Sequence, residues 1–178
     1  MVGFGTSPFE ILASQAMVAG LCYLDEFAYT APFVAGTPTA LTANADVTVP
    51  VRINSDSDFI ALQYNIVGYD TTAPNPVLVP NPNVLIQITR SGSGRMLMSS
   101  PVHAALMAGN YYDGAGTIPG VLPISSLYQG NSQVDVRVIN LSTVNFSRFD
   151  FVKRGFKVFY QMNAKGVTGN RQMIFHAL

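Results

Sequence analysis

Alternation of apolar and polar residues with period two is the feature that most limits what this chain can become. Val47, Val49, Val51 and Ile53 alternate with Thr48, Pro50 and Arg52, and Ile60, Leu62, Tyr64 and Ile66 alternate with Ala61, Gln63 and Asn65. Successive side chains of a strand point to opposite faces, so these runs predict strands with one buried face. The same reading gives a shared face to Val84, Ile86 and Ile88, to Val134, Val136 and Val138, and to Phe156, Val158, Tyr160 and Met162. Turn-forming residues separate the runs: Asn54 with Ser55 and Asp56, the Ser91-Gly92-Ser93-Gly94 string, Gly114 with Gly116, Gly130-Asn131, and Asn140 with Ser142. One-sided alternation favours antiparallel sheets, because strands of parallel sheets are covered on both faces and read as continuous apolar runs. The expectation is an all-β antiparallel β-sandwich, jelly-roll-like, with Val49, Val51, Leu62, Tyr64, Ile66, Val84, Ile86, Val136, Val138, Phe156 and Val158 in its core.

One segment reads as a helix. Ser7, Pro8 and Glu10 stand where an N-cap, the first helical position and the third residue of a capping box belong, and an Ala-, Leu- and Met-rich run follows. This predicts an N-terminal helix over residues 8–23, with Ile11, Leu12, Met17, Val18, Leu21 and Cys22 as its apolar stripe and Gly20 weakening it. The chain then divides into a helix and arm over residues 1–30 and a sandwich over 31–178, which suits a length of 178 residues. No Lys or Arg precedes the apolar run, and Glu10, Ser14 and Gln15 interrupt it, so neither an export signal nor a membrane span is expected.

Charge is scarce. Only 11% of residues are charged and the net charge is zero, against about 25% in an average soluble domain. Such a surface lacks the ionic coat that keeps separate proteins apart, and it lacks the basic patch of a dedicated nucleic-acid binder. Residues 27–45, 71–89 and 114–134 carry no formal charge and are punctuated by proline, which predicts extended loops and edge strands. Pro74, Pro76, Pro80 and Pro82 make their stretch a stiff connection. The charges that remain are uneven along the chain, net −5 up to Gly130 and +5 from Asn131 onward. Interleaving of strands from the two parts is the simpler expectation, because it cancels this asymmetry in space.

No reaction can be read from the residues. Cys22 is the only cysteine and sits among Leu21, Tyr23 and Leu24, which suits a small buried hydrophobe. His103 and His176 have no partner at metal-ligand spacing. Ser91-Gly92-Ser93-Gly94 has no helix after it, so it reads as a hairpin tip rather than a nucleophile elbow. Gly114-Ala115-Gly116 lacks the third glycine of a phosphate loop. Asp56 and Asp58 lie in a polar turn, where aspartate is favoured for local backbone hydrogen bonds. Tyr111-Tyr112 beside Asp113 would offer a stacking surface to a sugar, and equally to a protein partner. No catalytic residue, metal or cofactor is therefore assigned.

Residues 130–142, with Val134, Val136 and Val138, followed by Arg154-Gly155-Phe156-Lys157-Val158-Phe159, resemble the closing strand pair of small β-sandwich virion proteins of tailed bacteriophages, and residues 47–65 resemble their opening pair. The resemblance implies a capsid decoration (cement) protein or another minor structural protein of the virion, assembled in the host cytoplasm. A receptor- or sugar-binding tail protein is the alternative. The implied partners are the major capsid protein and further copies of the chain, a trimer being favoured, with no specific nucleic acid and no membrane. Long extended stretches of low charge suit contact with neighbours. The candidate interface residues are Phe9, Ile11, Leu12, Phe33, Val34, Val77, Leu78, Tyr111, Tyr112, Ile118, Val121 and Leu122.

Overall fold

The computed structural model describes residues 11, 15, 22–71, 75–91, 98, 100–107, 111–112, 116–117 and 120–160. Most of them are in strands, and helix is almost absent. The strands are β1 (Cys22–Val34), β2 (Asp46–Arg52), β3 (Asp58–Asp70), β4 (Val84–Arg90), β5 (Val102–His103), β6 (Tyr111–Tyr112), β7 (Gly116–Thr117), β8 (Gly120–Tyr128), β9 (Gln133–Asn140) and β10 (Phe146–Tyr160), with one short helix, α1 (Ala104–Met107). Sheet A has the order β1-β10-β3-β8, sheet B has β2-β9-β4-β5, and β6 and β7 form a small hairpin; all the pairings are antiparallel. The pairs β1–β10, β2–β9, β3–β8 and β4–β5 are nested, so the first strand joins the last and each later pair lies inside it.

Proline marks the borders of this arrangement. Edge strands β1, β2 and β8 contain Pro32, Pro50 and Pro123, and Pro101 directly precedes edge strand β5. The central strands β3, β4, β9 and β10 contain none. Proline has no N–H for a ladder, so it is tolerated only where the N–H position faces away from a neighbouring strand.

The inner faces of both sheets meet in one core, to which β1 gives Tyr29, Ala31 and Phe33, β2 gives Val49 and Val51, and β9 gives Val134, Val136 and Val138. Phe59, Tyr64, Ile66, Val84, Ile86, Ile88, Phe149 and Phe151 complete its centre. Alternation was a true guide in β2, β4 and β9. In β3 it changes phase, because Arg154 pairs with Gln63 and Gly155 with Ala61, which leaves Leu62 as a bulge. Phe59 and Ala61 therefore face the core before the bulge, and Tyr64 and Ile66 face it afterwards.

Leu62, Phe156 and Val158 were expected in that core and are not there. Leu62 and Val158 belong to a second apolar cluster with Cys22, Leu24, Ile60, Leu127 and Tyr160, and Phe156 is half-buried. In β10 the core side is Phe149, Phe151 and Lys153, and the lysine and glycine further along that side obscure its apolar character in the sequence. Of the helix expected over residues 8–23, Ile11 and Gln15 have helical backbone, most of the rest lies outside the described residues, and Cys22 and Tyr23 already belong to β1. A boundary at residue 30 falls inside β1, so residues 22–34 form one strand of sheet A. Met162 and His176 lie outside the described residues.

Charge is interleaved by the pairing. Arg137 from the basic part of the chain grips Asp46 through Nε at 2.8 Å, and Lys157 pairs with Asp56 at 3.2 Å. Asp58 does more than cap a local turn. Its Oδ1 accepts a bond from the Gly130 N–H at 2.7 Å and its Oδ2 from the Tyr160 hydroxyl at 2.9 Å, which ties the β8–β9 turn and the end of β10 to β3. Only glycine fits at 130, where a β-carbon would stand 2.7 Å from the Ser57 carbonyl oxygen.

Register predicts opposite outcomes at adjacent residues of β9. Val136 is fully buried, so Val136→Asp strands an unpaired charge in the core and should cost about 4 kcal/mol or more. Arg137 is on the outer face in an ion pair that is 41% exposed on its side, so Arg137→Ser should cost about 1 kcal/mol or less. Urea denaturation of both variants checks this, and equal losses would mean the face assignment is wrong.

Lys153 is an ionisable side chain turned fully into the core. It is 1% exposed, its Nζ lies 4.6 Å from the Tyr128 ring centroid, and it has no hydrogen-bond partner among the described residues. Burial, with a smaller contribution from Arg90, lowers its pKa to about 7. An unfolded lysine titrates near ~10.4. Between these values the unfolded chain binds more protons, so stability should rise with pH, by on the order of 4 kcal/mol in all. Below pH 7 both states are protonated and the dependence flattens. Burial also pushes the Tyr64 and Tyr128 hydroxyls up, so stability should fall again above about pH 10 as the unfolded phenols ionise. Thermal melts should show Lys153→Met losing the rise between pH 7 and 10 and melting higher at pH 7; an unchanged profile would contradict the burial of this amine.

Candidate functional site: an uncharged loop end

Antiparallel register gathers three loops at one end of the molecule. Phe146 lies opposite Asp70 and Arg148 opposite Val34, while Asp46 lies opposite Ile139 and Val84 opposite Asn140. The β1–β2 loop (35–45), the β3–β4 loop (71–83) and the β9–β10 loop (141–145) therefore leave the same edge of the two layers. None of the three contains a charged residue. Two of them come from the uncharged stretches of the sequence, and the third is short enough to have passed as a plain turn.

Asn140 ties the β1–β2 and β9–β10 loops together. It is 1% exposed, and its Nδ2 donates to the carbonyls of Thr42 and Val144, both at 2.8 Å. Its Oδ1 accepts from the Ser142 N–H at 3.0 Å and the Ser142 hydroxyl at 2.7 Å. Backbone bonds complete the frame: Asn140 N to Ala45 O at 2.8 Å, Leu141 N to Asn83 O at 3.0 Å and Phe146 N to Leu41 O at 3.2 Å. Leu41 turns from its loop fully into the core. In the β3–β4 loop, Asp70 exchanges bonds with Val77 in both directions at 2.9 Å, and Val79 N donates to Gly68 O at 2.8 Å. Asn44 and Asn81 adopt left-handed φ values of 57° and 48°, which asparagine tolerates better than most residues. Near the same end, His103 Nδ1 accepts from the Ala105 N–H at 3.2 Å, so the ring proton sits on Nε2 and is donated to Asn83 Oδ1 at 3.1 Å.

This end presents apolar side chains to solvent. Val77 is 56% exposed, Leu141 47% and Tyr69 38%, and Leu106 of α1, which follows the β5 residues paired to the start of β4, is 84% exposed. The Arg137–Asp46 and Arg148–Asp150 ion pairs lie at the start of β2, near the end of β9 and near the start of β10, beside the uncharged surface. An apolar centre with a charged margin is the pattern of protein interfaces. No group of three or more metal-ligating side chains occurs among the described residues, and no described helix is long and apolar enough to cross a membrane. Burial pushes the Cys22 thiol up, away from the reactive thiolate.

The expected interface residues separate on inspection. Val77 and Leu78 are at the loop end, where Leu78 bridges to Tyr69. Val34 closes β1 and its carbonyl accepts from the Thr37 hydroxyl at 2.7 Å. Phe33 is a correction: it is fully buried, 5.8 Å from the Phe149 ring, because its place in the strand turns it inward. Ile11 is 45% exposed. Tyr111 and Tyr112 form β6, and Val121 and Leu122 lie in edge strand β8, whose Val121 stands opposite Gln63 midway along β3. Phe9, Leu12 and Ile118 lie outside the described residues. Sequence reading missed Tyr69, Leu106 and Leu141 as exposed residues of this end, and it read Asn140 only as a turn residue; the uncharged run after Asn140 was a signal for Leu141 alone.

No family model matches the chain, and no curated protein matches it. Among solved structures, it is similar to a chain of the cyanophage Pam1 capsid asymmetric unit, with 15% identity, a TM-score of 0.38, and coverage of 77% of this chain and 86% of that one. It is also similar to VP2 in the subviral particle of infectious bursal disease virus, with 11% identity, a TM-score of 0.29, and coverage of 82% of this chain and 34% of that one.

The hub makes a specific demand on residue 140. Asn140→Asp sets a carboxylate against two backbone carbonyls that need a donor, and should cost about 2 to 4 kcal/mol at pH 7. Hydrogen exchange should then accelerate in the β1–β2 and β9–β10 loops together. Loss confined to residues 141–145 would show that the loops are not joined through this side chain.

Proposed function

We propose that this chain is a structural protein of a virus particle, and more finely a decoration (cement) protein that bridges major capsid subunits of a phage head as a homo-oligomer, a trimer being favoured. The observation that carries the reading is the uncharged loop end, where Val77, Leu141, Tyr69 and Leu106 stand exposed above a margin of ion pairs. Burying such a surface against a neighbouring subunit covers few ions, the nearest being the Asp70 carboxylate, which already accepts the Val77 N–H. The strand order supports a jelly roll, since eight strands in two sheets of four, with pairs nested from β1–β10 to β4–β5, is the winding of one long antiparallel hairpin over two layers. A fold of this kind hosts many functions, so the assignment rests on the loop end and not on the topology. Strengthening a shell requires many modest contacts and no reaction, and no catalysis enters the proposal. The protein would be found in the virion after assembly in the host cytoplasm.

Cryo-electron microscopy of particles should locate the chain on the shell with its loop end against capsid subunits. Val77→Asp combined with Leu141→Asp should leave the melting temperature nearly unchanged, since both side chains are exposed, and should weaken binding to capsids by tenfold or more. Undiminished binding, or a chain that stays monomeric at high concentration and ignores capsids, would overturn the reading.

A further inference from the structure

The outer face of sheet A carries a depression that the loop end does not explain. Its volume is about 390 Å³, and β1, β3 and β10 line it. The backbone creates it. Gly155 approaches β3 so closely that a β-carbon there would stand 1.8 Å from the Ile60 carbonyl oxygen, and the Leu62 bulge displaces the next side chains of β3. Ala28 adds no bulk on the β1 side. Glu26, Arg154, Gln63 and Phe156 are left around the hollow.

We propose that this depression is a binding site for a neutral saccharide unit. Glu26 and Arg154 have opposite charges, yet neither makes an ion pair or a side-chain hydrogen bond among the described residues. The lining is therefore close to neutral overall, which gives no net attraction for an anion or a cation. It does offer planar groups of both kinds, with a carboxylate to accept, a guanidinium to donate, and the Gln63 amide to do both. Phe156 and Leu62 supply an apolar side. A pyranose ring matches that set, because its rim of hydroxyls both donates and accepts while its C–H face packs on apolar surface. The volume is at the lower end of the ~300–1,000 Å³ usual for ligand pockets, which suits a mono- or disaccharide unit.

Position keeps this site independent of the proposed shell contact. Glu26 precedes Val34, at the loop end, by eight strand residues, or about 26 Å at the usual strand rise. A subunit seated through its loops would keep the depression clear, so the failure of either proposal leaves the other standing.

The test is a titration of the full chain, followed by NMR of its backbone amides, with D-glucose, D-galactose, N-acetyl-D-glucosamine and maltose in turn. At least one should give saturable shifts at Glu26, Gln63 and Arg154 to Phe156, with a dissociation constant on the order of 1 mM. Glu26→Gln and Arg154→Gln alter exposed side chains, and each should weaken that binding tenfold or more while the other resonances stay in place. Ala28→Leu, which fills the hollow from β1, should abolish it. The proposal fails if no sugar gives saturable shifts at about 50 mM, if the shifts fall elsewhere, such as β6 and β7, or if all three variants bind as well as the parent chain. It also fails if glycylglycine competes equally, since the two charges would then be reading the ends of a peptide.

Discussion

The close approach of β10 to β3 at Gly155 organises much of sheet A. With the Ile60 carbonyl oxygen 1.8 Å from where a β-carbon would be, the two backbones run nearer than any side chain permits, and β3 absorbs the misfit by bulging at Leu62. The bulge exchanges the faces of β3. On one side of it, Ile60 joins Cys22 and Val158 in an outer cluster; on the other, Tyr64 and Ile66 turn into the main core. Sheet A is thus apolar on both faces near its chain ends, while the outer face of sheet B is polar, with Asp46, Arg137, Gln87, Ser91, Asp135 and Gln133 linked across its strands.

That asymmetry explains which parts of the fold were legible in the sequence. Sheet B follows the simple rule of apolar inside and polar outside, so β2, β4 and β9 could be read directly from Val49, Ile86 and Val136. In sheet A two physical facts defeat the rule. A bulge shifts the phase of β3 without leaving any mark in residue type, and Lys153, Gly155 and Lys157 occupy the inner side of β10 while Phe156, Val158 and Tyr160 occupy the outer. A reader of periodicity selects the second set. Prolines were the better guide to position, since Pro32, Pro50 and Pro123 each mark a border strand. Of the candidate site, the uncharged loops were visible as composition. Their convergence was not, because it depends on strand order, which periodicity does not contain.

Lys153 and Lys157 show how the same strand handles two cations differently. Lys157 is nearly buried but reaches Asp56 at 3.2 Å and lies 4.2 Å from the Phe27 ring centroid. Four residues earlier Lys153 has the Tyr128 ring alone, and Arg90 shares that ring at 5.3 Å from its centroid. A quadrupole offsets only a small part of the desolvation of an ammonium group, and a second cation on the same ring opposes it. The neutral amine is the form this core accommodates, which is why the proton on Lys153 and the stability of sheet A are coupled.

Proline placement and loop composition together restrict how copies of this fold can meet other proteins. An unprotected edge strand invites pairing with another chain through its free N–H and C=O groups, and such pairing does not stop at a closed assembly. Pro32, Pro50 and Pro123 interrupt the donor rows of three border strands, and β5 has only two residues. Contact by strand addition is thereby disfavoured on every side of both sheets. Surfaces built from side chains remain, and the loop end is one of them, low in charge and held by the buried Asn140 amide. Its chemistry is selective through shape, since Val77, Leu141 and Leu106 offer no charge to steer a partner and gain only when a complementary surface excludes water from all of them at once.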